Sequence, residues 1–501
     1  MSVAVAIACV KLLIFAYVGG SYGYFRDELY FLACADHLAL GYPDHAPLSV
    51  YVTEFSRSIF GESLHAIRLF PAIAGSLRIV ITGLLVREFG GRHFAVLISC
   101  LAVLVAPSYL AVDNLLGMNY YESVFWMGCV LSFIWAVRRE DPKYWILFGA
   151  FAGLGLMNKH SMVFFGAALT VALLLSRYRK VFTRPHIWMA AAIAFVIFVP
   201  NLVWQYQNDW ATLELLRNVR ESGKNVEVSA IEFTVQQMIM LNPVTIAVWL
   251  PGLALLLSSR WLAEFRVLGI TFVLLFAAML ALNAKNYYLA PVYPFLFAAG
   301  GVFWERLLGR SAPGRAALCT FAALLILAGT ALAPLAVPAL PVDSYKSYET
   351  AIGIAPPKTE VAHEGVLPQH FGDMFGWEEM VEKTARVYRS LPDEERERAA
   401  IFASNYGEAG AIDHFGPRYG LPRAISPHQS YYLWGFGDYD GRIAILLGVE
   451  RESAEQVCGS VEVREPVGGR FNMTYENFDI LVCRDLKPPV DEFWKQIKNW
   501  N

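Results

Sequence analysis

The sequence predicts a polytopic α-helical membrane protein with a C-terminal α/β domain on its outer side. Three observations lead there. The 501 residues are 56% hydrophobic and only 17% charged, more apolar than a soluble chain of this length can bury. Long apolar runs recur from residue 2 to about residue 338, and from about Val342 onward none is long enough to span a bilayer. A formal net charge of -3 leaves no global basic surface of the kind that attracts nucleic acid, so any basic residue must act by where it sits.

The spans come first, since a hydrocarbon core of about 30 Å needs roughly 20 apolar residues per helix. About eleven transmembrane segments satisfy this, approximately 2–20, 66–86, 93–112, 121–137, 144–158, 160–176, 187–204, 236–257, 266–283, 286–304 and 315–338. The fifth and sixth are separated only by "NKH", which makes them short helices or a re-entrant pair sheltered by protein. Residues 2–20 lack a basic leader and a small-residue cleavage site and read as an uncleaved span. Lys11 in the middle of it either snorkels or marks a start placed too late. Pro291 and Pro294 are expected to kink the tenth span.

Orientation follows from Lys and Arg at the segment ends. A cytoplasmic N-terminus puts "VREFGGRH", "AVRREDPKYW", "SRYRKVFTRPH", "SSRWLAEFR" and "WERLLGRSAPGR" inside, and these are the most basic short loops. The expected organisation is a transmembrane domain at 1–340, with an outer loop at 21–65, and a periplasmic domain at 341–501 of an inner-membrane protein.

Within that outer domain, "WEEMVEKTARVYRSL" carries apolar residues on one helical face. "AAIFASNYGEAGAIDHFG" reads as a strand, a turn at Asn405–Gly407 and a helix, while "GRIAILLGV" and "FDILVCR" read as strands, which together make a small α/β domain. Cys458 and Cys483 are the two cysteines of this domain. They form a disulfide in an oxidising compartment or are buried thiols on neighbouring strands.

The chemistry concentrates in "YFRDELYFLACADHLALGYPDHAPLSVYV", directly after the first span. Asp27 and Glu28 lie close to the interface, where an ionisable group is costly unless paired or functional. The Gly and Pro residues of "GYPDHAP" turn the chain back toward the membrane and place Asp44 and His45 at a bend that can approach Asp27. An Asp-His pair can bind a divalent metal ion or hold a phosphate through imidazolium. Asp113 and Lys159 lie on the same outer side, and a Lys that defies the positive-inside pattern needs an anionic partner, for which a lipid phosphate is one candidate.

Those segments carry a resemblance. The acidic pair of the first outer loop, the Gly-containing turn, "FGESLHAIRLFPAIAGSL", "GLGLMNKHS" and "KNYYLAPVYPFLFAAGG" occur in an order similar to that of the polyprenyl-phosphate-sugar-dependent glycosyltransferases of the GT-C superfamily. The protein O-mannosyltransferases and lipid A aminoarabinose transferases are the nearest types. The resemblance covers most of residues 20–305 and implies a GT-C-like fold. It also implies a sugar donor on a polyprenyl phosphate and a lipid, glycan or protein acceptor. By position, Asp27 corresponds to the family's loop acid, a base or acceptor-orienting group, with Glu28 as its partner and Asp113 as a second acid. Lys159 corresponds to a lysine that meets the lipid phosphate. The turn departs from the pattern: the aminoarabinose transferases have Glu-Lys-Pro-Pro-Leu where this chain has Asp44, His45, Ala46, Pro47 and Leu48. His45 therefore stands as either a phosphate ligand or, with Asp44, a metal ligand. Arg217 and Arg220 in the long outer loop are further phosphate candidates.

Single displacement at an anomeric carbon needs a carboxylate on the acceptor side and cations on the leaving-group side, and it inverts the centre. A flippase of lipid-linked sugars is the alternative, but it calls for midplane polar residues and paired half-sequences, and neither is present.

Overall fold

The computed structural model describes all 501 residues. Sixteen main helices make up the membrane half. Those that position the site are α1 (Ser2–Val18), α2 (Arg26–Asp36), α3 (Leu48–Phe60), α4 (Leu64–Glu88), α5 (His93–Leu104), α6 (Pro107–Val112), α7 (Asn119–Arg139), α8 (Lys143–Asn158) and α9 (Met162–Leu174). They are followed by α10 (Pro185–Gln207), α11 (Ala211–Glu221), α12 (Ala230–Met240), α13 (Ile246–Ser258), α14 (Arg266–Ala281), α15 (Tyr293–Leu308) and α16 (Ala312–Leu332).

Every expected apolar segment is helical, but not every one is a single helix. Five helices are long and apolar enough to cross a membrane, and bent pairs raise that to seven. Residues 93–112 break ahead of Pro107, and the 236–257 segment bends by 102° at Asn242–Pro243. The tenth segment is not kinked in its middle. Residues Asn286–Val292 form a tight 3-10 helix containing Pro291, and Pro294 lies in the first turn of α15, where its missing N–H is no loss. Close crossings rest on small residues. A Cβ on Gly300 of α15 would stand 1.9 Å from the Val248 carbonyl oxygen of α13, so only glycine permits this approach.

The C-terminal domain, named the outer domain after its expected side, carries a five-stranded mixed sheet of order β2-β1-β3-β5-β4. The strands are β1 (Ala400–Ala403), β2 (Ala424–Ile425), β3 (Ile443–Leu447), β4 (Cys458–Val467) and β5 (Phe478–Leu486). β1 runs parallel to β2 and β3, while β5 is antiparallel to β3 and β4. The helix Trp377–Ser390 and the helix Tyr406–Phe415 cover one face. Cys458 and Cys483 are joined as a disulfide.

The outer domain does not stand apart. One apolar core joins Leu29–Ala35 of α2, Tyr42, Ile67 and Leu116 to Trp377, Ile401, Ile412, Ile445 and Val482. The outer loop is thus buried between the bundle and the sheet domain.

Candidate active site

The extended Phe25 precedes α2, and its backbone N–H donates to Glu28 Oε2 at 2.8 Å, which closes the first turn. Asp27 lies in that turn, half-buried, on the wall of a cavity of about 520 Å³ between the bundle and the outer domain. Arg26, Asn119, Lys224, Lys285 and Tyr287 share this cavity, which runs on over Ala111, Val112, Leu332 and Leu335. A polar head with an apolar floor suits an amphiphile.

Asp27 Oδ1 accepts a hydrogen bond from Tyr406 Oη at 2.8 Å, and Tyr406 comes from the outer domain. Arg26 is held beside it. Its guanidinium lies over the rings of Tyr406 at 5.2 Å and Tyr475 at 5.3 Å, and Nη1 donates to Tyr475 Oη at 3.1 Å. Asp373 stands 3.8 Å from Arg26 Nε.

Glu28 sits immediately beside Asp27 in sequence but faces the opposite way. Fully buried, it receives Arg68 Nε on Oε1 and Arg68 Nη2 on Oε2, both at 2.7 Å, and the Leu116 N–H at 2.9 Å. All its acceptor capacity is used inside the protein, where it ties α2 to α4.

Asp113 is likewise interior. Arg78 Nη1 and Nη2 donate to it at 3.1 and 2.9 Å, and Lys11 Nζ lies 3.2 Å away. Gly75 makes the room, since a Cβ there would stand 2.2 Å from Asp113 Oδ2. This triad corrects the expectation for Lys11, which does not snorkel but pairs with a buried carboxylate.

Lys159 is buried behind the cavity wall, next to the lining residues Asn119 and Tyr287. It donates to Asn119 Oδ1 at 2.8 Å and Glu122 Oε2 at 3.0 Å and sits 4.4 Å from the Tyr288 ring centre. The anionic partner it needs is therefore Glu122, with Asn119 linking it to the cavity.

Asp44 and His45 stand behind Tyr30. Tyr30 Oη donates to Asp44 Oδ1 at 3.0 Å, and His45 is stacked on Phe31 with Nδ1 3.1 Å from the Ala46 carbonyl oxygen. Burial raises the Asp44 carboxyl above the usual carboxylate range. His45 Nε2 is 3.8 Å from Asp44 Oδ1. No third His, Cys, Asp or Glu joins them, so the donor set falls short of a divalent-metal site. Arg217 and Arg220 lie on the exposed face of α11, Arg217 paired with Glu221 at 2.8 Å, away from the cavity.

The sequence reading missed Lys224, Lys285 and Tyr406. Glu360 lies among the two lysines, 2.5 Å from Lys285 Nζ and 3.9 Å from Lys224 Nζ, with His363 at 3.1 Å. Burial pushes the Glu360 carboxyl up, but these neighbours outweigh it and hold it well below its ordinary value. Lys285 had a readable signal, being an outer-side Lys beside the "NYYLAPVYP" motif. Tyr406 had none, because its partner lies 379 positions away.

Residues 44–204 match the family model for dolichyl-phosphate-mannose-protein mannosyltransferase. The fold is that of ArnT from Cupriavidus metallidurans, with a TM-score of 0.60 at 14% identity over 96% of this chain and 98% of that one. The same enzyme bound to undecaprenyl phosphate gives 0.61 at 13% identity, again over 96% and 98%. The fold similarity thus extends over nearly the whole chain, while the family match covers residues 44–204.

Among curated proteins it is similar to the lipid A galacturonosyltransferase RgtD of Rhizobium johnstonii, 24% identical over 231 residues, 44% of this chain and 47% of that protein. It is also similar to the lipopolysaccharide core galacturonosyltransferase RgtB of the same organism, 26% identical over 190 residues, 37% of this chain and 38% of that protein. The matches span less than half the length of either relative.

Proposed function

We propose that the chain transfers a sugar from a polyprenyl-phosphate donor to a hydroxyl acceptor on the outer face of the inner membrane, with inversion. The observation that carries this is one cavity in which Asp27 faces Lys224 and Lys285 above an apolar floor. In this reading Asp27 is the base that takes the acceptor's hydroxyl proton as the new glycosidic bond forms. The bond from the anomeric carbon to the phosphate oxygen breaks, and its electron pair leaves with the phosphate. Lys224 and Lys285 stabilise that developing charge, with Lys159 behind the cavity wall. Glu28 and Asp113 act from behind, by holding α2 and the bundle in register.

The apolar strip at Ala111, Val112 and Leu332 fits the first isoprene units. A glycolipid acceptor and a uronic acid as the transferred sugar follow the two galacturonosyltransferase relatives. The cavity's cations support an anionic sugar, since Arg26, Lys224, Lys285, Lys346 and Lys358 outnumber Asp27, Glu349 and Glu360. A periplasmic outer domain is supported by the Cys458–Cys483 disulfide, which an oxidising compartment favours.

The test is transfer by the purified chain in liposomes from radiolabelled polyprenyl-phosphate uronate to a deacylated lipid A or core glycolipid. A product lacking label with every polyprenyl-phosphate sugar offered, alongside intact folded protein, would overturn the proposal. Cells without the gene should accumulate the lipid-linked sugar and carry a glycan short of one residue.

A further inference from the structure

We propose that Tyr406 of the outer domain is a positioning residue that holds the Asp27 carboxylate for transfer, which makes the outer domain part of the active site. The inference rests on Asp27 serving as the base in the reading above. Tyr406 Oη donates to Asp27 Oδ1 at 2.8 Å, and Oδ2 has no partner within the protein. One oxygen is thus anchored while the other stays free toward the cavity, where it can accept the acceptor's proton.

The tyrosine is itself fixed on every side. It opens the helix Tyr406–Phe415, whose first turn is capped by Asn405 Oδ1 accepting from the Gly407 N–H at 2.8 Å and the Glu408 N–H at 3.0 Å. Its own N–H donates to His428 Nδ1 at 3.3 Å. Its ring lies 4.7 Å from that of Tyr30 and 4.8 Å from that of His428, under the Arg26 guanidinium. Burial keeps the phenol protonated far beyond neutral pH, so the hydroxyl reaches Asp27 as a donor.

Two glycines make this reach possible. A Cβ on Gly407 would stand 2.3 Å from Arg26 Cγ, and one on Gly410 would stand 2.9 Å from the Leu29 carbonyl carbon. Helix Tyr406–Phe415 can therefore lie directly on α2, and the Tyr-Gly-x-x-Gly run in "SNYGEAGAIDHFG" acquires a purpose: it brings one phenol to one carboxylate.

The experiment compares Tyr406→Phe with Tyr431→Phe in the full-length chain. Tyr431 Oη donates to Asp413 at 2.8 Å within the same domain and does not touch Asp27, so its variant controls for loss of a buried phenolic bond. Tyr406→Phe is expected to lower kcat about 10-fold with donor KM within about twofold, because a misoriented base slows the chemical step without weakening donor binding. Tyr431→Phe should leave kcat within about twofold. Equal kcat in the two variants would overturn the proposal.

A second readout needs no turnover. The rate at which a water-soluble carbodiimide modifies Asp27, followed by peptide mass spectrometry, should rise several-fold in Tyr406→Phe alone. Unchanged labelling would overturn the hold on Asp27. Wild-type protein that transfers nothing would sink the functional reading only, leaving the labelling comparison to decide Tyr406.

Discussion

Arg68 grips both oxygens of Glu28, Nε to Oε1 and Nη2 to Oε2, at 2.7 Å each with neither side chain exposed. The same guanidinium donates to the carbonyl oxygens of Gly19 at 2.9 Å and Gly23 at 2.8 Å, so one residue ties the end of α1, the start of α2 and α4 together. Removing either partner strands a buried charge, which typically costs about 3–5 kcal/mol. Glu28→Gln should therefore lower the thermal stability of detergent-solubilised protein by several degrees and reduce yield. A variant that melts like wild type would mean that the pair is not what fixes the loop.

Asp27→Asn should behave differently. Its side chain's one hydrogen bond in the protein is from Tyr406, so the fold and donor binding should survive while transfer falls by about 10²–10⁴. Transfer assays in membranes matched for protein level decide this, and activity within about threefold of wild type would place the chemistry elsewhere.

Lys285→Gln should show in donor affinity. It lines the cavity and is paired only with Glu360, so losing its charge should raise donor KM about 10-fold or more and make binding less sensitive to salt. An unchanged KM would remove Lys285 from the donor-phosphate role.

Asp413 should contribute a loss of outer-domain stability as pH rises. Burial pushes the Asp413 carboxyl up to about 6, against hydrogen bonds from the Ala424 N–H at 2.9 Å and Tyr431 Oη at 2.8 Å that favour its charged form. A carboxyl that titrates higher when folded binds more protons folded than unfolded. Its stabilising contribution is thus complete below the unfolded value near 3.8 and is lost as pH climbs through about 6. Asp413→Asn should remove this contribution, so that its melting temperature climbs relative to that of wild type across the window. An identical slope in the variant would assign the effect to other groups.

The disulfide offers a check on orientation. In cells, Cys458 and Cys483 should resist alkylation until a reductant is added, as the proposed periplasmic placement of the domain requires. A C-terminal reporter active only in the cytoplasm would contradict the proposed topology. Breaking the bridge by Cys458→Ser should cost about 2–5 kcal/mol in the outer domain, read as a lower melting temperature.

The apolar helices of the N-terminal part and the strands β1, β3 and β5 were legible because each is specified by local pattern, whereas the more polar α3 and α11 were not. Apolar length marks a span, and runs such as "IAILL" mark a buried strand. β4 was not legible, since it is an edge strand with polar residues on an exposed face, and β2 has only two residues. Asp27 was singled out by its place after the first span, and Lys159 by its exception to the charge rule. The roles of their neighbours were not. Asp27 and Glu28 are adjacent in the chain, yet the helix turns one toward the cavity and the other into Arg68. Lys11, Arg78 and Asp113 come from three helices, and Tyr406 reaches Asp27 across 379 positions. The sequence by itself determined which segments are apolar enough to be helices in lipid, through hydropathy, and where the charged loop falls, through order along the chain. Only the tertiary structure decided which charges neutralise one another and which remain open to a ligand, because in a buried site the partner's distance sets the energy and partners are brought together by packing rather than by sequence proximity.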